Sequence, residues 1–405
     1  MKFIRSLELS GLLTFPPDMP PFELQDLNVL IGPNGSGKSN VIEAIELLRA
    51  TPTDFAAAIR DGGGAAEWLW KGEAISRAAR IEIETGDLPP GLTNPPSLPL
   101  RYRLEFVTAN TRVEVFDEAI EETEPRGRHL NEPYFYYRFQ QGHPVINIRE
   151  RTASSHGDVG IRRLQRHELL PDQSVLAQIK GLDQYPELTW LGRWFEHIQM
   201  LRDWTIGRYT APRKAQPADL PESSLLPDCR NLALVLNQIE QHNEIWTEFN
   251  RLLGRFFPRF RRMTTGISGG QIQFFLHEAD LNSRIPATRL SDGTIRFVAL
   301  LATLLAPSPP PLVCIDEPEL GLHPDAVALV ADLMLDASAR TQLIVATHSD
   351  TLVSALTDRP QAVVACERAG AGTTLRRLES DRLAHWLEDY TLGDLWRMGE
   401  LGANP

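Results

Sequence analysis

With 405 residues, 42% hydrophobic, 23% charged and 8% aromatic, the chain has ordinary globular composition, which excludes intrinsic disorder, collagen-like repeats and small disulfide scaffolds. Lys plus Arg number 41 against 53 Asp plus Glu, a net charge of -12, so any nucleic-acid contact needs a local basic patch rather than overall charge. The longest apolar stretch, residues 297–306, falls short of the roughly 20 residues of a membrane span, and Lys2, Arg5 and Glu8 interrupt any signal-peptide core, so a cytoplasmic chain is expected.

In chain order the patterning predicts strands over 2–9 and 27–31, a helix over 39–49 and a strand over 79–84, which is α/β writing. Beyond the prolines of 89–99, the alternation of Tyr102, Leu104 and Phe106 and the aromatic run 134–139 predict further strands of antiparallel type. Residues 187–260 read as helical, with Leu232, Leu236, Ile239, Trp246, Phe249 and Leu253 recurring along one face. The α/β pattern then resumes, with strands over 271–276, 312–315 and 343–346 and helices over 294–306 and 324–337. Parallel-type strands thus flank a helical insert, and the expected division is 1–180, 181–265 and 266–405. Cys229, Cys314 and Cys366 lie far apart with no C-x-x-C pair, and they read as reduced, mostly buried thiols.

Gly32-Pro33-Asn34-Gly35-Ser36-Gly37-Lys38-Ser39 matches G-x-x-x-x-G-K-[ST] between an apolar strand and a helix. In that context backbone N–H groups wrap phosphates, the helix N-terminus adds its positive dipole end, Lys38 faces the β- and γ-phosphates, and Ser39 ligates magnesium. The apolar run 312–315 ends in Asp316 and Glu317, a pairing suited to a magnesium shell and to a carboxylate that activates water. Leu290-Ser291-Asp292-Gly293-Thr294 opens an apolar helix: Ser291 reads either as a plain N-cap or as part of an anion site. His348, in Thr347-His348-Ser349, follows the next apolar strand, at a carboxyl strand end where α/β folds place ligand contacts.

Taken together and in this order, GPNGSGKS, LSDGT, CIDEPE, LGLHP and ATHS resemble ABC-type ATPases of the SMC and RecF kind, particularly the stand-alone ATPases of bacterial phage defence and the ATPase half of OLD-family nucleases. The resemblance implies an α/β P-loop NTPase fold of ABC type, with a mixed sheet, an antiparallel lobe and a helical insert. It implies ATP and Mg2+ as cofactors, Gly32 to Ser39 as Walker A, Asp316 and Glu317 as Walker B, Ser291 and Gly293 as the signature, 320–324 as the D-loop region and His348 as the switch histidine. It further implies an ATP-sandwich homodimer or higher homo-oligomer, in which the signature of one protomer closes on nucleotide held by Lys38 of the other, and it suggests a separately encoded effector. The stretch 10–15 lacks the basic residue usual in such relatives, which leaves the adenine contacts unassigned; Gln178 is the first Q-loop candidate, ahead of Gln140 and Gln141.

Arg251, Arg255, Arg259, Arg261 and Arg262, interleaved with Phe256, Phe257 and Phe260, form the best DNA-binding candidate. The same stretch also reads as a helix whose aromatics enter the core and whose arginines pair with acids of 117–124. The tail residues Trp386, Tyr390, Leu392, Leu395 and Trp396 dock either on the core or on a partner. Competing classes are a transporter's nucleotide-binding subunit, disfavoured by LSDGT in place of LSGGQ, and a nucleotide-gated scaffold, which shares every motif.

Overall fold

The computed structural model describes residues 2–72, 77–86, 99–125, 133–140, 143–149, 159–165, 168–202, 204, 206–370 and 372–403. It divides the chain into two compact units, one of 1–25, 32–198 and 365–376, the other of 26–31, 199–364 and 377–405.

In the first unit, an eight-stranded antiparallel sheet has the order β2-β1-β4-β5-β6-β7-β8-β9. Its strands are β1 (Ile4–Ser10), β2 (Phe22–Glu23), β4 (Ala78–Thr85), β5 (Leu100–Ala109), β6 (Arg112–Glu122), β7 (Phe135–Gln140), β8 (His143–Arg149) and β9 (Val159–Arg163). β4 and β5 alternate buried and exposed side chains, as a sheet with one covered face requires. α2 (Phe55–Asp61), α3 (Ala65–Trp68), α4 (Val175–Gln178) and α5 (Pro186–Glu196) meet that face, and α1 (Lys38–Ala50) packs on α2 and α5. Edge-to-face rings of Phe3 with Trp194, Phe55 with Phe106 and Tyr102 with Phe195 join the sheet to α2 and α5. On the other side of the sheet the charges are paired: Asp117 with Arg103, and Glu121 with Arg101 and Arg138.

The covered face also holds a carboxylate. Glu118 of β6 is 1% exposed and accepts hydrogen bonds from Tyr102 Oη at 2.8 Å, Ser174 Oγ at 2.5 Å and the Val175 amide at 2.8 Å. Burial outweighs these bonds and pushes its pKa from 4.5 up to about 7. The folded state therefore holds a proton that the unfolded chain releases, and the stability this contributes is lost as pH rises from 4.5 through about 7. Glu118→Gln is expected to flatten that loss, read as urea midpoints that stay level between pH 5 and 8 while those of the wild type fall.

The second unit contains β3 (Leu27–Ile31), β10 (Gln199–Leu201), β11 (Gln216–Pro217), β12 (Phe260–Ser268), β13 (Gln271–Glu278), β14 (Ile285–Pro286), β15 (Leu312–Asp316) and β16 (Gln342–Ala346). Its helices are α6 (Leu232–Glu240), α7 (Asn243–Phe256), α8 (Asp292–Leu304), α9 (Pro324–Ser338), α10 (Asp350–Ser354), α11 (Ser380–Leu383) and α12 (Leu392–Met398). β10, β15, β16 and β3 run parallel in that order, so a strand from the N-terminal region lies beside one more than 300 residues later. β3 and β16 are buried along their whole length, which explains why they read as unbroken apolar runs. β17 (Val363–Ala369) and β18 (Gly372–Arg377) are neighbouring strands whose turn belongs to the first unit.

The stretch 187–260 is less helical than its periodicity predicts: α5 is followed by β10 and a long irregular segment before α6. α7 ends at Phe256, ahead of Pro258, and the chain then enters a β12–β13 hairpin. None of the three cysteines forms a disulfide and all are buried, and burial pushes the thiols of Cys229 and Cys366 up to about 12. Among the described residues no helix is long and apolar enough to cross a membrane.

Candidate nucleotide site

Gly32 follows β3 directly, and Gly37 precedes the first residue of α1. Gly37 has φ +99°, and a Cβ there would collide with Thr373 Oγ1 and lie 2.8 Å from Thr14 Oγ1, so the turn admits only glycine. Lys38 is 5% exposed, and its ammonium donates to the Gly32 carbonyl at 2.6 Å and the Pro33 carbonyl at 3.0 Å.

Three residues that motif reading does not single out hold this loop. Thr373 Oγ1 donates to the Ser36 carbonyl at 2.9 Å and is 2.7 Å from Thr14 Oγ1; Asn40 Nδ2 donates to Thr14 Oγ1 at 2.8 Å. Thr14 lies in the stretch 10–15, where no basic residue stands, and its hydroxyl serves the loop. A phosphate group fits this loop: Ser36 Oγ is buried without a partner among the described residues, and a buried lysine stands beside it. A hydroxyl on Ser39 and a carboxylate on Asp316 are the hard oxygen donors magnesium takes.

In the second unit, Asp316 of β15 is in register with Ala346 of β16, and Ala346 with Leu30 of β3. The carboxyl ends of β15 and β16 therefore bring Glu317 and Thr347-His348 to one end of the sheet, where open α/β sheets bind ligands. Asp316 lies 3.8 Å from the Arg202 guanidinium, and its carbonyl accepts from Trp204 Nε1 at 2.9 Å. Glu317 has a left-handed backbone, φ +49°, held by its amide bond to the Ala346 carbonyl at 2.9 Å. Strain of this kind at a non-glycine residue collects at functional sites.

Ser291 caps α8, its Oγ accepting from the Thr294 amide at 3.1 Å, as the sequence predicts. A Cβ on Gly293 would stand 2.5 Å from the Gly321 carbonyl, so this position brings α8 onto the turn after β15. Arg213, 4% exposed, anchors the segment before α8: Nε donates to the Gly207 carbonyl at 2.9 Å, and its two terminal nitrogens reach the carbonyls of Ala287 and Leu290 and the Asp292 carboxylate. Arg296, one turn into α8, donates to the Leu320 carbonyl and lies 5.1 Å from the Trp204 ring. Burial lowers its pKa. Sequence patterning gave no sign of Arg213 or Arg296, because each acts across a fold contact rather than within a motif.

Gln178 is placed at the end of α4. Its amide bonds the amide and carbonyl of Leu170 at 2.6 and 3.2 Å and the Gln173 carbonyl at 2.9 Å, so it closes the 170–174 loop. Gln140 ends β7, and the side chain of Gln140 and the whole of Gln141 lie outside the described residues.

The arginine stretch does not form one helical face. Arg251 is paired with Glu248 on α7, whereas Arg261 and Arg262 lie on β12. Phe256 stacks on core Phe297 at 4.3 Å, and the acids at 117 and 121 are paired within their own sheet. Arg259, Arg261 and Arg262 have no carboxylate within ion-pair distance among the described residues. The same holds for Arg284, which stacks on Phe275 at 3.7 Å. In the tail, Leu392, Leu395 and Trp396 are buried with α12 against α10, while Trp386 and Tyr390 remain 44% and 39% exposed.

A glycine-bounded phosphate loop that follows one strand of a parallel sheet and opens a helix, in a chain whose same sheet holds a strand ending in two carboxylates, defines a P-loop nucleotide-binding protein. The family model described as "AAA domain, putative AbiEii toxin, Type IV TA system" matches residues 27–354, and the chain belongs to this family. No curated protein matches it. Among solved structures it is similar to an Smc head bound to the C-winged helix domain of ScpA, with TM-score 0.57 and 15% identity over 94% of this chain and 99% of that one. It is likewise similar to the Pyrococcus furiosus Smc head with an extended coiled coil bound to the C-terminal domain of ScpA (TM-score 0.57, 14% identity, 96% and 99% covered). The Pyrococcus yayanosii Smc head with a coiled coil and joint is a third (TM-score 0.53, 13% identity, 96% and 99% covered). The fold is that of Smc head domains, mixed α/β with an antiparallel lobe.

Proposed function

We propose that the chain is a magnesium-dependent ATPase whose ATP-driven dimerisation serves DNA repair or anti-phage defence, in the cytoplasm and with a separately encoded effector. The alignment of Leu30, Ala346 and Asp316 at one end of the sheet supports this reading most strongly. ATP binds at Gly32 to Ser39, with Lys38 on the β- and γ-phosphates, and Mg2+ is held by Ser39 and Asp316, where it neutralises phosphate charge. Glu317 takes the proton of the attacking water, and His348 contacts the γ-phosphate. Ser291 and Gly293 face the nucleotide of a second copy, joining two protomers head to tail. In this division, residues 1–180 carry Walker A, 181–265 form an insert, and 266–405 carry the signature, Walker B and switch histidine. Gln178 enters as Q-loop residue only if its bonds to the 170–174 loop are released.

DNA is the substrate best suited to the basic hairpin. Burial, and then the charges of Arg262, Arg284 and Arg261, lower the pKa of His277, so positive charge collects at this hairpin despite the net charge of -12. The test is the ATPase rate with and without double-stranded DNA, together with binding of a labelled duplex from low to physiological salt. Binding is expected to weaken steeply with salt, and replacing Arg261, Arg262 and Arg284 by alanine to reduce the salt slope by about one per lost phosphate contact. DNA that neither binds nor changes the rate sinks the DNA-linked part and moves the search to a protein partner.

A further inference from the structure

We infer that Glu319 is the positioning residue for His348, a role that rests on the reading of His348 as the γ-phosphate contact. After Glu317 the chain turns back on itself, with the Leu320 amide on the Glu317 carbonyl at 3.1 Å and the Leu322 amide on the Glu319 carbonyl at 3.0 Å. This turn brings the Glu319 side chain to the end of β16. There Oε1 accepts two bonds at once, from Thr347 Oγ1 at 2.8 Å and from the His348 backbone amide at 2.8 Å. Thr347 is wholly buried, and its hydroxyl accepts the Ser349 amide at 3.0 Å; Ser349 Oγ in turn caps α10 through the Leu352 amide at 3.2 Å.

One carboxylate thus binds the His348 amide and the Thr347 hydroxyl directly and reaches the Ser349 amide through that hydroxyl, while the Thr347 amide is held by the Leu30 carbonyl at 3.1 Å. The imidazole of His348 makes no hydrogen bond or ion pair among the described residues, so the direction of the ring depends on that backbone. The same turn is gripped from the other side by Arg296, which donates to the Leu320 carbonyl from the signature helix. Glu319 is therefore placed to relay any shift of α8 against the turn to His348. Its other oxygen, Oε2, is buried without a partner among the described residues. Packing alone does not account for an acid there, because an apolar side chain would fill the space without an unpaired oxygen.

The test compares Glu319→Ala, Glu319→Gln, His348→Ala and the Glu319→Ala/His348→Ala double variant in the full chain. Steady-state ATPase is measured alongside hydrogen exchange of the peptide spanning 347–349. The expected result for Glu319→Ala is faster exchange at His348 and a kcat lowered at least about tenfold, with the KM for ATP changed less than about twofold. Glu319→Gln, which keeps an acceptor for both donors, should return kcat to within about threefold of wild type. The double variant should be no slower than His348→Ala, because a residue acting through His348 has nothing further to remove. Wild-type kcat in Glu319→Ala, or losses that multiply in the double variant, would overturn the positioning role. Should Glu319→Ala fold poorly, Thr347→Val removes one of the two bonds and is held to the same two criteria. Wild-type turnover in His348→Ala is a separate outcome: it removes the role of His348 itself, and with it this inference, whatever the exchange data show.

Discussion

Lys38→Ala is expected to abolish ATP binding. The ammonium is 5% exposed and is held 2.6 Å from the Gly32 carbonyl and 3.0 Å from the Pro33 carbonyl, in the middle of the loop that a polyphosphate would occupy. Hydrogen bonds to charged groups contribute about 1.5–3 kcal/mol each. Loss of two such bonds to phosphate therefore weakens binding by at least about a hundredfold, since each 1.4 kcal/mol is a factor of ten. Calorimetric titration with ATP and magnesium reads this directly. A second reading is the rise in melting temperature with ATP, which a variant that does not bind loses. Tight retention of ATP by Lys38→Ala would remove the phosphate-loop assignment.

Glu317→Gln is expected to behave in the opposite way, retaining ATP while turnover falls by about 10²–10⁴-fold, the usual loss when a general base becomes unable to accept a proton. The substitution is nearly isosteric, so the left-handed backbone at 317 and its amide bond to Ala346 are kept while the basic oxygen is lost. With hydrolysis blocked, the ATP-bound assembly should accumulate, and its mass in solution with magnesium and ATP should exceed that without nucleotide. Wild-type turnover in this variant would exclude Glu317 as the base. A large mass unaffected by ATP would favour a preassembled scaffold with incidental hydrolysis over an ATP-gated dimer.

What sequence reading reached, and what it missed, follows from how far apart cooperating residues lie. The phosphate loop, the apolar strands 27–31, 312–316 and 342–346, and the capped start of α8 were legible because their chemistry needs neighbours in sequence. Thr373 acts on Ser36 across 337 residues, Arg213 on Asp292 across 79 and Glu319 on Thr347 across 28, separations at which no spacing rule operates. The hairpin strand β12 was hidden for a different reason. Its register shifts between Phe260 and Arg262, so the alternation that marks a strand is broken where the arginines fall, and the segment reads as a continuation of α7. Gln178 shows the converse: a glutamine in a plausible place proves to be fastened to its own loop.

The pair of threonine hydroxyls that braces the phosphate loop also sets a limit on the order in which the molecule matures. Thr14 and Thr373 meet at Gly37 although they are 359 positions apart, and β3 finds its parallel neighbour only when β16 exists. Contacts of such separation are slow to form and come late. During synthesis, the loop and α1 leave the ribosome early, but the brace that shapes them emerges hundreds of residues afterwards. The nascent chain therefore carries an unbraced nucleotide loop until Thr373 has been made, and competence to grip ATP is acquired only after that, when the surface around the loop that nucleotide is proposed to recruit already exists.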